Sequence, residues 1–477
     1  MTSSGENNFL IGDLSAKRVT VTGFAESRQF DTHIVLAKTV ADVSAAIKYG
    51  VKEDLPICAR GHGCSYGDQA MVTGGLTVDL SALRSVTHFD TERGLISVEP
   101  GIQLASLIRE ILPHGWILTG LPGGLRITVG GAVANDVHGK DCWKRGNFGR
   151  NVESMTVVGP EGEHIEVSRT VRQDLFHQII GGMGLFGIVV SITLRLTAIP
   201  APFVDVSTTP TRNLAELATF FQNIGGEDEY AVAWIDGFAR GNSFGRGFGE
   251  SARWSKGDEA LDVLSIDDLM ILHDKVFGIL PADATWGILR HFFFHRGMRL
   301  ANALKYRATT LKGRNSERIL ISDFLWIIDK VIPEFNKLLR PDGFLSMQPL
   351  LPPDQSLQGI RAVLEVCQKH RCEPILCSVK QHSTEPGPLS FSGNGHSINI
   401  DMPLKRTSAT AMNLFFEDLM STVRDLGGKV YLAKDQHLTR ELFVDMYPQY
   451  ESVLEAKAEF DPDNRFISNI YNRLLVN

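Results

Sequence analysis

Along the first 200 residues the apolar positions change period repeatedly, and each change marks an element. Val40, Val43 and Ile47 fall at helical spacing, with Gly50 following as the expected C-cap. Leu104, Leu107, Ile108, Ile111 and Leu112 make a second amphipathic stripe, closed by Pro113 and Gly115. Around these helices stand short β-rich runs, at Leu76 to Leu80, Ile96 to Glu99, Met155 to Val158, Ile165 to Val167 and Ile188 to Leu196. Strand and helix signals alternating across glycine and proline punctuation predict an α/β arrangement for this stretch. Ala198 to Phe203, with Pro200 and Pro202, reads as a linker. The middle of the chain is less regular and richer in aromatics (Trp234, Trp286, Trp326 and Phe292 to Phe294), as suits a lobe that shapes a pocket. Near the end, Gly427, Gly428, Val430, Tyr431 and Leu432 predict a turn and strand, and Arg440 to Met446 a helix.

Length changes the picture from one lobe to at least two, because 477 residues exceed the size at which single cores stop growing. An apolar fraction of 43% with 22% charged residues is that of a folded chain, and a net charge of −7 excludes a general attraction for nucleic acid. The N-terminal stretch lacks a basic segment followed by a long apolar run, and no uninterrupted apolar segment is long enough to span a bilayer. A cytoplasmic protein is expected. The six cysteines, at 58, 64, 142, 367, 372 and 377, are too scattered for a disulfide framework, so reduced thiols are expected. Cys367, Cys372 and Cys377 lack the C-x2-C clasp of structural zinc, and no metal is expected.

Two loops carry the candidate chemistry. Arg60-Gly-His-Gly-Cys-Ser-Tyr-Gly-Asp68 leaves the end of the run Leu55 to Cys58, and its glycines at 61, 63 and 67 let backbone amides approach a phosphate. Its spacing is not G-x-G-x-x-G, so no nicotinamide fingerprint is supported there. The second loop, Pro122 to Lys140, has small residues at 130 to 132 and 134, where close packing against a flat ligand needs them, and ends in His138 and Lys140. Gly182-Met-Gly-Leu-Phe-Gly187 does match G-x-G-x-x-G, but it follows a helical stretch, Asp174 to Ile180, and opens a strand. That context is the reverse of a dinucleotide site, and it reads as a turn closing over a cofactor.

Taken in order, RGHGCSYGD, VEPG at Val98 to Gly101, PGG with TVGGAVANDVHGK, GGMGLFGIV at Gly181 to Val189, YLAKD at Tyr431 to Asp435 and FDPDNRF at Phe460 to Phe466 resemble the decaprenylphosphoryl-β-D-ribose 2′-oxidase group. That group is a branch of the vanillyl-alcohol oxidase superfamily, with its PCMH-type FAD-binding fold. The resemblance spans nearly the whole chain. It implies an α+β, two-lobed fold: a split FAD-binding domain, 1–197 and 429–477, and a substrate domain, 198–428, with an antiparallel sheet flanked by helices. It implies FAD contacts from Arg60, Gly61, His62, Gly63, Cys64, Ser65, Tyr66 and Gly67, from Pro122, Gly123, Gly124 and Thr128, and from Gly130, Gly131, Ala134, Asn135, His138 and Gly139. Gly187, Ile188 and Tyr431 complete that set. Tyr66, Trp234, Gln348, Lys380, Asn399, Asp401 and Lys434 would meet the substrate, with Lys434 and His138 catalytic. A buried lysine can act as a base because desolvation lowers its pKa.

The implied activity is FAD-dependent oxidation of a secondary alcohol on a sugar, the 2′-hydroxyl of a polyprenylphosphoryl pentose, with epimerisation completed by a short-chain NAD(P)H-dependent reductase partner on the way to a cell-wall polysaccharide precursor. An alditol or sugar-lactone oxidase acting on a small soluble substrate is the alternative, and a catalytically silent flavoprotein scaffold is the reading of another class. The chain departs from the group's pattern in Ser397-Ile-Asn-Ile-Asp401, where Asn399 stands in place of an active-site cysteine. Cys64 occupies the position from which wider-superfamily oxidases tether flavin through histidine, but the branch implies non-covalent FAD. Finally, Trp286 to Ser316 carries Arg290, Arg296, Arg299, Lys305, Arg307, Lys312 and Arg314 with no acidic residue. It predicts either a peripheral contact with the inner face of a membrane or a solvated helix whose aromatics face the core.

Overall fold

Thr39 starts the first long helix, its hydroxyl accepting from the Asp42 amide while the Asp42 carboxylate accepts from the Thr39 amide. In the computed structural model, which describes residues 8–256, 275–276, 280–281, 295–326, 336, 343–385, 387–404 and 408–476, that helix is α1, Val40–Lys52. Gly50, expected as its C-cap, lies inside the helix and is buried. A Cβ there would stand 2.7 Å from Ile57 Cδ1, so glycine lets the helix press onto the neighbouring strand.

Among the described residues that strand belongs to a five-stranded sheet in the order β1 (Phe9–Ile11), β2 (Leu14–Thr22), β3 (Gln29–Leu36), β5 (Leu76–Asp79), β4 (Ile57–Arg60). β3 and β4 both run parallel to β5, with α1 as the crossover, so β4 ends at Arg60, where the first glycine loop begins. A second, antiparallel sheet has the order β10 (His164–Ser168), β9 (Val152–Val158), β11 (Ile188–Arg195), β7 (Leu95–Val98), β6 (Val86–Asp90). α2, Leu104–Ile111, buries its Leu104, Leu107, Ile108 and Ile111 stripe in the same core as Ile96, Val98 and Ile192 of that sheet. β8 (Trp116–Ile117) pairs with β12 (Thr197–Ala198), whose last residue is the first of the expected linker, and residues 199–202 of that linker form no strand.

From Phe203 onward the pattern changes to one long antiparallel sheet. Its order is β18 (Asn315–Leu320), β13 (Phe203–Thr211), β15 (Gly247–Trp254), β14 (Tyr230–Ile235), β21 (Leu376–Ser383), β22 (Asn394–Pro403), β20 (Pro349–Leu351), β23 (Lys429–Val430), with β19 (Phe344–Met347) also on β22. β16 (Lys275–Val276) and β17 (Leu280–Pro281) form a separate hairpin pair. The helices Ser356–Lys369 and Ala409–Asp425 pack on each other, and the first of them covers β20 and β22. The result is a two-lobed α+β fold.

The C-terminal segment returns to the first lobe. The Ile57 amide donates to Arg465 O at 2.7 Å, and the Ile467 amide donates to Ile57 O at 3.1 Å. Arg473 donates to Asp68 at 3.0 and 3.1 Å and to Asp435 at 2.9 Å, joining the first glycine loop to the turn Leu432–Lys434. Both carboxylates are buried, so this fork is the fixed joint between the parts of the site. All six cysteines are free. Trp286, Arg290 and Phe292 to Phe294 of the basic stretch lie outside the described residues.

Candidate active site

The glycine loops meet because side chains are missing where they touch. A Cβ on Gly61 would stand 2.3 Å from Thr128 Oγ1, and one on Gly130 would stand 2.8 Å from Pro100 Cβ. Thr128 in turn caps α3, Val129–Ala134, accepting from the Gly131 amide at 3.2 Å. Gly63 takes a positive φ of 66°, which folds the loop over the Arg60 side chain.

Between the loops and the long sheet lies a cavity of about 360 Å³. Gly61, His62, Gly63, Cys64, Ser65 and Tyr66 line it from the first loop. The second loop contributes Pro122, Gly123, Gly124, Thr128, Gly130, Gly131, Ala134, Asn135 and His138, and the turn after the helix Gln173–Ile179 contributes Met183, Gly184, Phe186 and Gly187. That turn follows a helix and opens β11, the reversed context expected of it. The sheet side supplies Gln348, Lys380, Asn399, Asp401, Tyr431 and Lys434.

Five expected residues do not line the cavity. Arg60 turns beneath its loop, donating to Ala70 O at 3.2 Å and Thr22 O at 3.1 Å. Gly67 packs on the Asp435 carbonyl, Gly139 on the Leu121 backbone, and Ile188 is fully buried in the core beside β4 and β5. Trp234 lies off the cavity because it stacks on Phe248 at 5.3 Å, with Lys305 Nζ 4.5 Å from its ring centroid. Lys305 itself stays exposed, with its ammonium over the Trp234 ring.

Strand alternation builds the opposite wall. Leu376, Ser378 and Lys380 share one face of β21, and Asn399 and Asp401 one face of β22. Their register sets Ser378 opposite Asn399, Lys380 opposite Ser397, and Leu376 opposite Asp401. Gln348, between β19 and β20, has its amide 3.0 Å from His138 Nε2 and 3.0 Å from Ser397 Oγ, and His382 Nε2 is 2.8 Å from the same hydroxyl. Tyr431 stacks on Phe391 at 4.7 Å and donates to Asn135 O at 3.3 Å, closing the wall onto the second loop. His382, Ser378 and Gln69 escaped the sequence reading. The first two continue the alternation through Lys380, and Gln69 directly follows the first loop, so period and adjacency were signals that could have found them.

Burial sets the charge states. Lys434 keeps some accessible surface and lines the cavity, yet desolvation brings it down to about 8. Nearby Asp401 works against that shift and Lys380 with it. Lys380 is also lowered by burial. His138 is pushed well below its ordinary value by burial, then by the charges of Lys380, His382 and Lys434, so it stands neutral. Lys140 donates to Phe324 O, away from the cavity, and burial lowers it to about 8. One ring nitrogen each of His138 and His382 and the Cys142 thiol lie within 4.8 Å of one another. The Lys380 ammonium bears on both imidazoles, and burial pushes the thiol up to about 12, so the trio suits no cation.

Comparison with known proteins places this geometry. The FAD binding domain family matches residues 32–168, and the D-arabinono-1,4-lactone oxidase family matches residues 350–474. Decaprenylphosphoryl-beta-D-ribose oxidase of Mycolicibacterium smegmatis is 29% identical over 425 residues, 88% of this chain and 89% of that protein. The chain belongs to the vanillyl-alcohol oxidase superfamily. It is an FAD-dependent oxidoreductase of that superfamily. Other relatives match over shorter stretches: cytokinin dehydrogenase 10 of Oryza sativa subsp. japonica is 34% identical over 34% of this chain and 31% of its own, and D-lactate dehydrogenase of Anaerostipes hadrus 29% over 35% and 36%.

The cavity suits the superfamily's cofactor. Its cradle is lined by backbone and small residues, and a Cβ on Gly123 would meet nothing within 4 Å. Three lining residues present buried polar atoms without a protein partner, Gln69 Oε1, His138 Nδ1 and Asp401 Oδ1. Such a wall fits a flat ligand carrying both donors and acceptors.

Proposed function

We propose that this oxidoreductase converts a secondary alcohol of a sugar to a ketone, the substrate being a polyprenylphosphoryl pentose oxidised at its 2′-hydroxyl. Similarity to decaprenylphosphoryl-beta-D-ribose oxidase over most of both chains supports the substrate class. The observation that carries the chemistry is the Lys434 amine in the cavity wall opposite the glycine cradle, brought by burial to about 8. The glycine cradle would hold FAD, which would supply hydride acceptance from the carbinol carbon. Lys434 takes the hydroxyl proton, since an amine titrating near neutral pH is both available and basic enough. Neutral His138, held by Gln348, positions sugar against cofactor, and Lys380 and Asp401 receive its other oxygens. Tyr66 borders the same space with its ring beneath Lys434 Nζ, 4.9 Å from the centroid. A short-chain NAD(P)H-dependent reductase would then reduce the keto-sugar, completing an epimerisation.

FAD is held without a covalent bond in this reading. Denatured protein should release all its yellow colour, and colour left on a peptide containing Cys64 would reverse that assignment. The test of function is anaerobic mixing with a panel of sugars and polyprenylphosphoryl sugars. Bleaching by the lipid-linked pentose is expected. Bleaching by small alditols or lactones alone would favour the second reading, which rests on the match of residues 350–474 to the D-arabinono-1,4-lactone oxidase family. No bleaching by any sugar would leave the silent scaffold.

A lipid-linked substrate also calls for a membrane surface. No helix among the described residues is long and apolar enough to cross one. The helix His295–Lys312 instead exposes Leu300 at 61%, Leu304 at 55% and Leu311 at 89% beside exposed Arg296, Arg299, Arg307 and Lys312. Such a face suits peripheral contact with anionic lipid at the inner leaflet. Arg296→Glu with Arg299→Glu should weaken co-sedimentation with anionic vesicles by about 1 kcal/mol per residue. Binding that ignores both changes would sink the contact.

A further inference from the structure

Lys434 does not meet Asp401 directly, although both line the same cavity. Asn399 stands between them. β22 projects Asn399 and Asp401 to one face, two residues apart, and the Asn399 Nδ2 donates to Asp401 Oδ2 at 2.9 Å. An ionised carboxylate offers no hydrogen, so the amide must turn its NH₂ to Asp401, and its carbonyl end then faces Lys434. Lys434 Nζ donates to that Oδ1, and Ser346 Oγ reaches the same oxygen at 3.5 Å.

This arrangement has two physical consequences. Oδ1 can only accept, so Lys434 must aim an N–H at it whether charged or neutral, and the lone pair of the neutral amine is turned elsewhere. The amide also keeps the carboxylate one group away from the ammonium, and Coulomb attraction weakens with distance. A carboxylate at position 399 would hold the proton on the amine.

We propose that Asn399 is a positioning residue that fixes the Lys434 amine by one N–H, turns its lone pair into the cavity, and insulates it from the Asp401 carboxylate so that it can give up its proton. Its use as a base rests on the reading of Lys434 in the proposed function. The insulation itself does not. The charged and titratable groups that bear on Lys434 are Asp401 on β22, Lys380 on β21, His138 after α3 and, through its ring face, Tyr66 of the first loop.

The test is the pH dependence of Lys434 acylation by acetic anhydride in the holoenzyme, read by mass spectrometry in the wild type, Asn399→Asp and Asp401→Asn. Direct contact with an opposite charge shifts a pKa by about one to three units. Asn399→Asp should therefore move the Lys434 titration to higher pH, with labelling at neutral pH about tenfold slower. Asp401→Asn, which changes charge without changing volume, should move it to lower pH. Flavin absorbance reports that each variant is folded and loaded. In anaerobic flavin reduction by sugar, the rising limb of the rate against pH should shift the same way. A purely structural Asn399 would lower rates or stability and leave both titrations where they were. Unmoved titrations, or an Asn399→Asp shift to lower pH, overturn the proposal. If no sugar reduces the flavin, the proposed function fails while the labelling series still decides the role of Asn399.

Discussion

The two walls of the cavity are made of different materials. The glycine cradle presents backbone, and its residues come from short contiguous stretches, 61–66 and 122–138. The sheet wall presents polar and charged side chains from separate places, Gln348, Lys380, Asn399, Asp401 and Lys434. A cradle binds by letting atoms approach, so its sensitive positions are those where a Cβ is forbidden. The sheet wall acts through charge states, which burial and neighbours set. Steric changes should therefore empty the first wall, and charge changes should silence the second while leaving the flavin bound.

Lys434→Ala should give the largest effect, a fall of about 10² to 10⁴ in the rate of anaerobic flavin reduction with flavin content unchanged, as befits loss of a general base. A variant that loses its flavin would show that the two walls are not separable. Next comes the joint between them. Arg473→Met leaves Asp68 and Asp435 buried without their guanidinium and should destabilise the protein by about 3–5 kcal/mol, measurable by urea unfolding of the holoenzyme. A cost near zero would mean that cradle and turn are held by packing alone. Gly61→Val drives a side chain into Thr128 and should cost about 1–3 kcal/mol, read as weaker FAD retention at unchanged Lys434 titration. Full retention would contradict the close approach of the two loops.

The remaining contrast is a pH slope. His382 is pushed down by burial to about 3. A group with a depressed folded pKa favours the folded state above its unfolded value, near 6.5, and that stability is lost as pH falls from there toward about 3. His382→Gln should flatten the fall in stability over that window by about 1.4 kcal/mol per pH unit. An unchanged slope would place the acid sensitivity in other groups. His138 is depressed by the same burial, so part of the slope should survive the substitution.

The cradle was legible because its chemistry is local. Gly61, Gly63 and Thr128 sit in runs whose composition already demands tight turns and close approach, and the reversed setting of Gly182 to Gly187 was visible from its neighbours. Helix stripes were legible for the same reason, with α2 falling on its expected positions. Gly50 was misread because a glycine at a helix end and a glycine under a strand look alike until the strand is in place. Trp234 was assigned to the cavity through resemblance, but its direction depends on Phe248 of the neighbouring strand, which no local pattern reveals. His382 was missed because its partners, Ser397 and His138, are 15 and 244 residues away.

By itself, the sequence determined the alternation of elements in the first lobe, the two glycine-rich loops, and a lysine and a histidine as candidate site residues. These depend on period, turn chemistry and residue type, which act within a few positions. Tertiary structure alone decided which of those groups share a cavity, that Lys434 is desolvated enough to titrate near neutral pH, and that Asn399 separates it from Asp401. Desolvation and electrostatic spacing depend on distances between strands brought together by folding, and no stretch of sequence records them.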